Sequence, residues 1–176
     1  YNSSPIFVYQ GIPGDEVTAK VIHKRGDVFF AEIIEYKTRS DYQITVECPV
    51  FDVCGGCDWL HISYEQQLKF KQSIVEEFFR PLCSNGCNIE KINPSTRINN
   101  YRNKVLLPVK QSNEGLIAGM YARRSHDIIP HDNCYLQPGK SDEIVKTVLR
   151  LMNKAKINAY DEKSRRGLLK HIGLRY

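Results

Sequence analysis

Three cysteines within ten residues constrain this chain more than any other feature. Cys48, Cys54 and Cys57 form C-x5-C-x2-C. The two glycines between Cys54 and Cys57 let the backbone turn tightly, so two thiolates can face one centre. A tetrahedral or cubane site needs a fourth thiol, and the remaining cysteines are Cys83, Cys87 and Cys134. A structural zinc ion and a [4Fe–4S] cluster both accept four thiolates. A zinc ribbon usually brings a second C-x2-C pair. Cys83 and Cys87, with three residues between them, copy it poorly. Ordinary cysteines without a ligating role are the third reading. Disulfides are disfavoured, because nothing in the sequence points to an oxidising compartment.

The rest of the composition is that of a folded chain. Hydrophobic residues make up 41% and charged residues 26% of 176, which excludes wholesale disorder and allows one or two domains. No apolar run approaches the ~20 residues of a membrane-spanning helix. With no basic–apolar leader either, the expectation is a cytoplasmic protein with no membrane partner. The net charge of +5 is mild and unevenly spread. Residues 1–47 carry five basic and seven acidic groups, residues 97–128 six and two, and residues 154–176 seven and two. A polyanion would therefore meet the second half of the chain first, if those charges share a face. A solvated surface is the plain alternative.

Residues 1–47 read as short strands with turns between. Ile6 to Tyr9 is β-rich, Gly11 to Gly14 is a turn cluster, and Val17, Ala19 and Val21 alternate with polar residues. Arg25-Gly26-Asp27 reads as a hairpin turn before the β-branched and aromatic run Val28 to Tyr36. Strands at this spacing, without a helix, predict a small antiparallel barrel or sandwich. Residues 48–62 are loop-like. Ser63-Tyr64-Glu65-Gln66 fits a capping box opening a helix that Pro81 should stop. Its apolar stripe, with Leu68, Val75 and Phe78, needs a cover. Strands return at 104–110 and 116–122, joined by the hairpin connection Gln111 to Gly115, with a short run at Ile128. Ser141 is a favourable N-cap for a second helix whose apolar face is Ile144, Val145, Val148, Leu149 and Met152. Leu168 to Tyr176 reads as a strand. A chain ending in mid-strand suggests the front part of something longer. The whole is a mostly β, α+β fold with two helices. Its expected parts are an OB-like barrel at 1–47, a cysteine loop at 48–62, a helical connector at 63–97 and an incomplete β-rich domain at 98–176.

The run from Cys48 to Lys71 (CPVFDVCGGCDWLHISYEQQLKFK) resembles the signature of the RNA 5-methyluridine, or uracil-5-, methyltransferases. Three later segments agree in order and spacing: Tyr101 to Val105, Arg123 to Ile129 followed by Asp132-Asn133-Cys134, and Gly167 to Ile172. Gly11 to Val17 is similar to the turn of a TRAM domain, a small OB-like RNA-binding barrel. The resemblance covers nearly the whole chain. It implies a [4Fe–4S] cluster on Cys48, Cys54, Cys57 and Cys134, with Cys83 and Cys87 matching no ligand position. It also implies S-adenosylmethionine-dependent methylation of C5 of a uridine in tRNA or ribosomal RNA, by a cysteine nucleophile adding at C6. That machinery is not visible here. There is no Gly-rich strand-to-helix turn for the cofactor, and no cysteine stands in the family's nucleophile context. The expectation is an RNA-recognition and cluster-binding portion, inactive alone, with no catalytic residue and with the S-adenosylmethionine site outside the chain.

Arg102, Lys104, Arg123 and Arg124 are the RNA-contacting candidates, because guanidinium groups fit phosphates and stack on unpaired bases. His126 is a lesser one. Phe29 and Phe30 face opposite ways on one strand, so at most one offers a stacking platform, and core packing is the plainer role for each. Trp59 is expected to pack over the cluster loop. In the rival reading the chain is a stand-alone RNA-binding module stapled by a four-cysteine zinc or iron–sulfur site. An electron-transfer protein would need an accessible cluster and a docking surface, for which the sequence gives no sign.

Overall fold

The computed structural model describes residues 4–83, 86 and 88–176, and the chain divides into two compact units. The first comprises Tyr1–Thr45 and Asp58–Asn93, the second Val46–Cys57 and Pro94–Tyr176. Each unit therefore takes two separate stretches of chain.

In the first unit, β1 (Ile6–Val8), β2 (Glu16–Arg25) and β3 (Val28–Thr38) form one sheet in the order β1-β3-β2. β2 and β3 pair antiparallel across the predicted turn, where Gly26 takes a φ of 59° that favours glycine. The expected closed antiparallel barrel does not form among the described residues. β1 is only three residues long and pairs parallel with β3, with Phe7 opposite Phe30. β1 and β2 thus remain the two edges of an open, twisted sheet. Register shifts along β2 bend it without closing it.

Apolar burial in this unit is thin: Ile12, Ala31 and Ile62. Polar ties do much of the joining. The Asp15 carboxylate accepts hydrogen bonds from the backbone N–H of Ile12 at 3.0 Å and of Ser40 at 2.8 Å, and from the Gln43 amide at 2.8 Å. Residues 42–44 pair with 61–63, through Ile44 N–H to the His61 carbonyl and Ser63 N–H to the Tyr42 carbonyl.

Helix α1 runs Tyr64–Cys83, with Pro81 inside its last turn rather than ending it. Its start is closed by Gln67, whose amide donates to the carbonyls of Trp59 and Ile62. Trp59 and Tyr42 stand edge-on to Phe70 at 6.0 and 6.2 Å, so both rings pack on α1. The later part of the apolar stripe stands bare, and Phe78 is 77% exposed.

The second unit has a larger core. β4 (Lys104–Ser112), β5 (Gly115–Tyr121), β6 (Ile128–Pro130) and β7 (His171–Arg175) form an antiparallel sheet in the order β6-β5-β4-β7. Alternation along β4 points Val105, Leu107 and Val109 inward, while Leu106 faces out. They pack with Leu116, Ala118, Ile172 and Ala159 against α2 (Lys140–Lys154). Of the predicted helix face, Val145 is buried and Val148, Leu149 and Met152 pack on the core, while Ile144 lies 40% exposed beside it. Ser141 is not the N-cap. Gly139 takes that position, and the fully buried Ser141 hydroxyl pairs with the Tyr176 hydroxyl at 2.5 Å. Among the described residues no helix is long and apolar enough to cross a membrane.

Candidate functional site

The cysteine loop is held to the second sheet by backbone pairing. Beyond the end of β5, Cys54 bridges Ala122, Gly55 N–H donates to the Tyr121 carbonyl at 2.9 Å, and Arg123 N–H donates to the Val53 carbonyl at 3.3 Å. The approach is close enough to require glycine: a Cβ on Gly55 would lie 2.8 Å from the Tyr121 oxygen. The loop coils on itself before that, with Cys54 N–H donating to the Val50 carbonyl and Phe51 N–H to the Cys48 carbonyl. Phe51 is buried beneath it.

Cys134 arrives from the other stretch of the unit, on the turn between β6 and α2. The start of α2 fixes that turn. The Asp142 carboxylate accepts from the backbone N–H of Asn133 at 2.7 Å and of Cys134 at 3.3 Å, and Lys146 pairs with Asp132 at 2.9 Å. The Tyr135 hydroxyl donates to Glu47 at 3.0 Å, tying the turn to the residue before Cys48.

Cys48, Cys54, Cys57 and Cys134 are all thiols outside any disulfide, and the other three act on Cys57. Burial pushes the Cys57 thiol up to about 11, with further contributions from the charges of Cys134, Cys54 and Cys48, in that order. Burial also raises the Cys134 thiol, and Asp142 adds to it. Opposing this, the N–H groups of Leu136 and Gln137 hydrogen-bond to Cys134, and the Arg102 charge favours the thiolates of both Cys57 and Cys134. The Gly56 N–H donates to Cys54 Sγ at 3.4 Å. The donor set is thus soft sulfur, with backbone amides aimed at two of its members. Among the described residues, no group of three or more His, Cys, Asp or Glu side chains could hold a metal ion as arranged. Cys57 feels the charge of the other three, but the four are not gathered around a single ion.

The four cationic candidates do not share one situation. Lys104 is exposed at the start of β4. Arg124 is exposed, at a φ of 54°. Arg102 is half-buried, and its charge reaches Cys57 and Cys134. Arg123 is half-buried, and its guanidinium donates to the Cys57 carbonyl at 2.5 Å. His126 lies against the Tyr121 ring at 5.4 Å between centroids. Phe30 stacks with Phe7 and Tyr9, while Lys24 sits over Phe29. Cys83 ends α1, and Cys87 lies outside the described residues. Sequence reasoning missed Asp142 as the anchor of the Cys134 turn. Its place eight residues after a cysteine, in a helix's first turn, is the available signal.

No family profile matches the chain. Sequence relatives do. A Bacillus cereus protein described as an uncharacterized RNA methyltransferase is 35% identical over 175 residues, covering 98% of this chain and 38% of the relative. A Clostridium tetani protein with the same description is 33% identical over 174 residues, covering 99% of this chain and 38% of the relative. Among solved structures, the Pyrococcus abyssi tRNA (uracil-54, C5)-methyltransferase in complex with S-adenosyl-L-homocysteine matches with a TM-score of 0.67 at 23% identity. That match covers 97% of this chain and 38% of the other, and it establishes likeness of fold. By sequence, the chain is a relative of RNA methyltransferases over nearly its full length, and it spans about 38% of theirs.

Proposed function

We propose that this chain is the RNA-recognition and [4Fe–4S]-binding portion of an S-adenosylmethionine-dependent RNA uracil-C5 methyltransferase. The observation that supports the reading is that Cys48, Cys54, Cys57 and Cys134 all lie in the second unit, where the other three each contribute to raising the Cys57 thiol. In water-poor surroundings four thiolates repel one another, so the set is stable either protonated or joined by a cationic centre. A cluster would supply that centre and tie the loop at 48–57 to the turn at 134. Zinc would hold the same four sulfurs at ~2.3 Å from one ion, and is the alternative to be tested. Backbone N–H bonds to cluster-bound sulfur, such as those at Cys54 and Cys134, are among the features that tune such centres.

RNA is the proposed partner, met by Lys104, Arg102 and Arg124 on the second unit and by the sheet of the first, read as TRAM-like. The S-adenosylmethionine site and the nucleophile would lie in the part of the relatives' length that this chain does not span. On this reading the chain alone transfers no methyl group to unmodified tRNA or ribosomal RNA, and robust transfer would refute it. Anaerobic reconstitution tests the metal assignment. About four irons and matching sulfide per chain, with broad absorption near ~400 nm, support it. Stoichiometric zinc in freshly isolated protein, with no iron uptake, supports the stapled-module alternative instead.

A further inference from the structure

Arg123 is a candidate for RNA contact by sequence, yet its groups turn toward the cysteine loop. Its Nη2 donates to the Cys57 carbonyl at 2.5 Å. The centre of its guanidinium lies 5.7 Å from the centroid of the Phe51 ring, which is buried between Cys48 and Cys54. Its backbone N–H donates to the Val53 carbonyl at 3.3 Å. One residue thereby engages the loop at positions 51, 53 and 57. The neighbouring Ala122 N–H donates to the Asp127 carbonyl at 2.7 Å, so the strand end that carries Arg123 is itself held in a turn.

We propose that Arg123 is a positioning residue for the cysteine site, fixing the Cys57 carbonyl and, through it, the direction of the Cys57 side chain. A planar guanidinium can bond a carbonyl and lie against a ring at once; an ammonium cannot reproduce both. The proposal rests on reading the four cysteines as ligands of one cluster, but its geometry belongs to the apo chain and can be tested there.

The experiment compares the full chain with its Arg123→Ala, Arg123→Lys and Lys104→Ala variants, in three measurements. The first is site-resolved alkylation of the reduced apo chain, read for each cysteine by mass spectrometry. Losing a hydrogen bond from a charged donor should raise Cys57 alkylation roughly tenfold or more in Arg123→Ala, relative to a cysteine outside the site such as Cys83. Arg123→Lys should fall between, and it stands in if the alanine variant does not fold. The second is iron and sulfide per chain after anaerobic reconstitution, with the reduction potential. Arg123→Ala should load less iron or shift the potential. The third is affinity for unmodified RNA measured on the apo chain, which Lys104→Ala should weaken and Arg123→Ala should leave unchanged. A wild-type alkylation pattern in both Arg123 variants overturns the proposal, as does a loss of RNA affinity with the cysteines unaffected. If the unsubstituted chain takes up neither iron nor sulfide, the ligand reading fails, and the alkylation contrast still decides the role of Arg123.

Discussion

The two units solve the same problem with different means. The second buries a continuous set of apolar side chains from β4, β5, β7 and α2. The first buries few, leans on the Asp15 carboxylate and its three donors, and leaves Phe7, Ile34 and Phe78 more than half exposed. The cysteine site is built on the better-packed unit. Ligand atoms need a rigid frame if they are to hold a geometry against their own repulsion, and a packed sheet provides one.

The most forceful way to break the contrast is to open the second core. Leu107 is 1% exposed at the centre of β4, and Leu107→Ala should cost about 2–5 kcal/mol in chemical denaturation. Hydrogen exchange should then quicken across β4, β5 and β7 while β2 and β3 keep their rates. Equal loss of protection in both units would mean that they unfold as one.

Next in size is an effect of pH on the apo thiols. A Cys57 pKa near 11 leaves it ~100-fold less ionised at pH 8 than a thiol at its ordinary value of 9.0. Its alkylation should stay slow at pH 8 and rise steeply toward pH 11. Because the folded-state value lies above the unfolded one, the neutral thiol favours the folded state. That contribution is complete below about pH 9 and is lost as pH climbs through about 11. Apo-protein melting temperature against pH checks the sign. Cluster loading should in turn release protons, which a weakly buffered titration detects.

Smaller is the effect of loosening the first unit. Asp15→Ala removes one acceptor from three donors and should cost about 1–3 kcal/mol, read as faster exchange at the Ile12 and Ser40 amides. Smallest is Phe78→Ser on the bare face of α1. With that ring mostly in solvent, the change should stay within about 0.5 kcal/mol in the isolated chain. A larger loss would show that the face is covered in solution.

Much of this is legible from residue order, and the exceptions have physical causes. Alternation discloses β4 and β5, and apolar spacing discloses the core face of α2, because those segments are buried on one side only. The C-x5-C-x2-C run and Cys134 are legible as a set because few chains place four thiols so, and all four lie in the second unit; that they ligate one centre is the proposal made above. Barrel closure is not legible, since it depends on whether β1 pairs parallel or antiparallel, which no local pattern encodes. Pro81 reads as a stop, yet a proline that costs a late turn only one hydrogen bond is tolerated. Ser141 has the chemistry of a cap, but its hydroxyl finds Tyr176, 35 residues away. Arg123 looks like its neighbour Arg124 because sequence reports a charge and not which way it turns.

The proposed site would draw its sulfurs from stretches of chain 77 positions apart, Cys57 to Cys134. On a ribosome adding about 5–20 residues each second, three thiols emerge roughly 4–15 s before the fourth. For that interval the nascent polypeptide carries an incomplete, oxidisable trio. Assembly of any inorganic centre spanning all four must follow synthesis of α2, whose Asp142 seats the last of them. A cell making this protein under oxygen stress would risk it at that moment, before the set is complete.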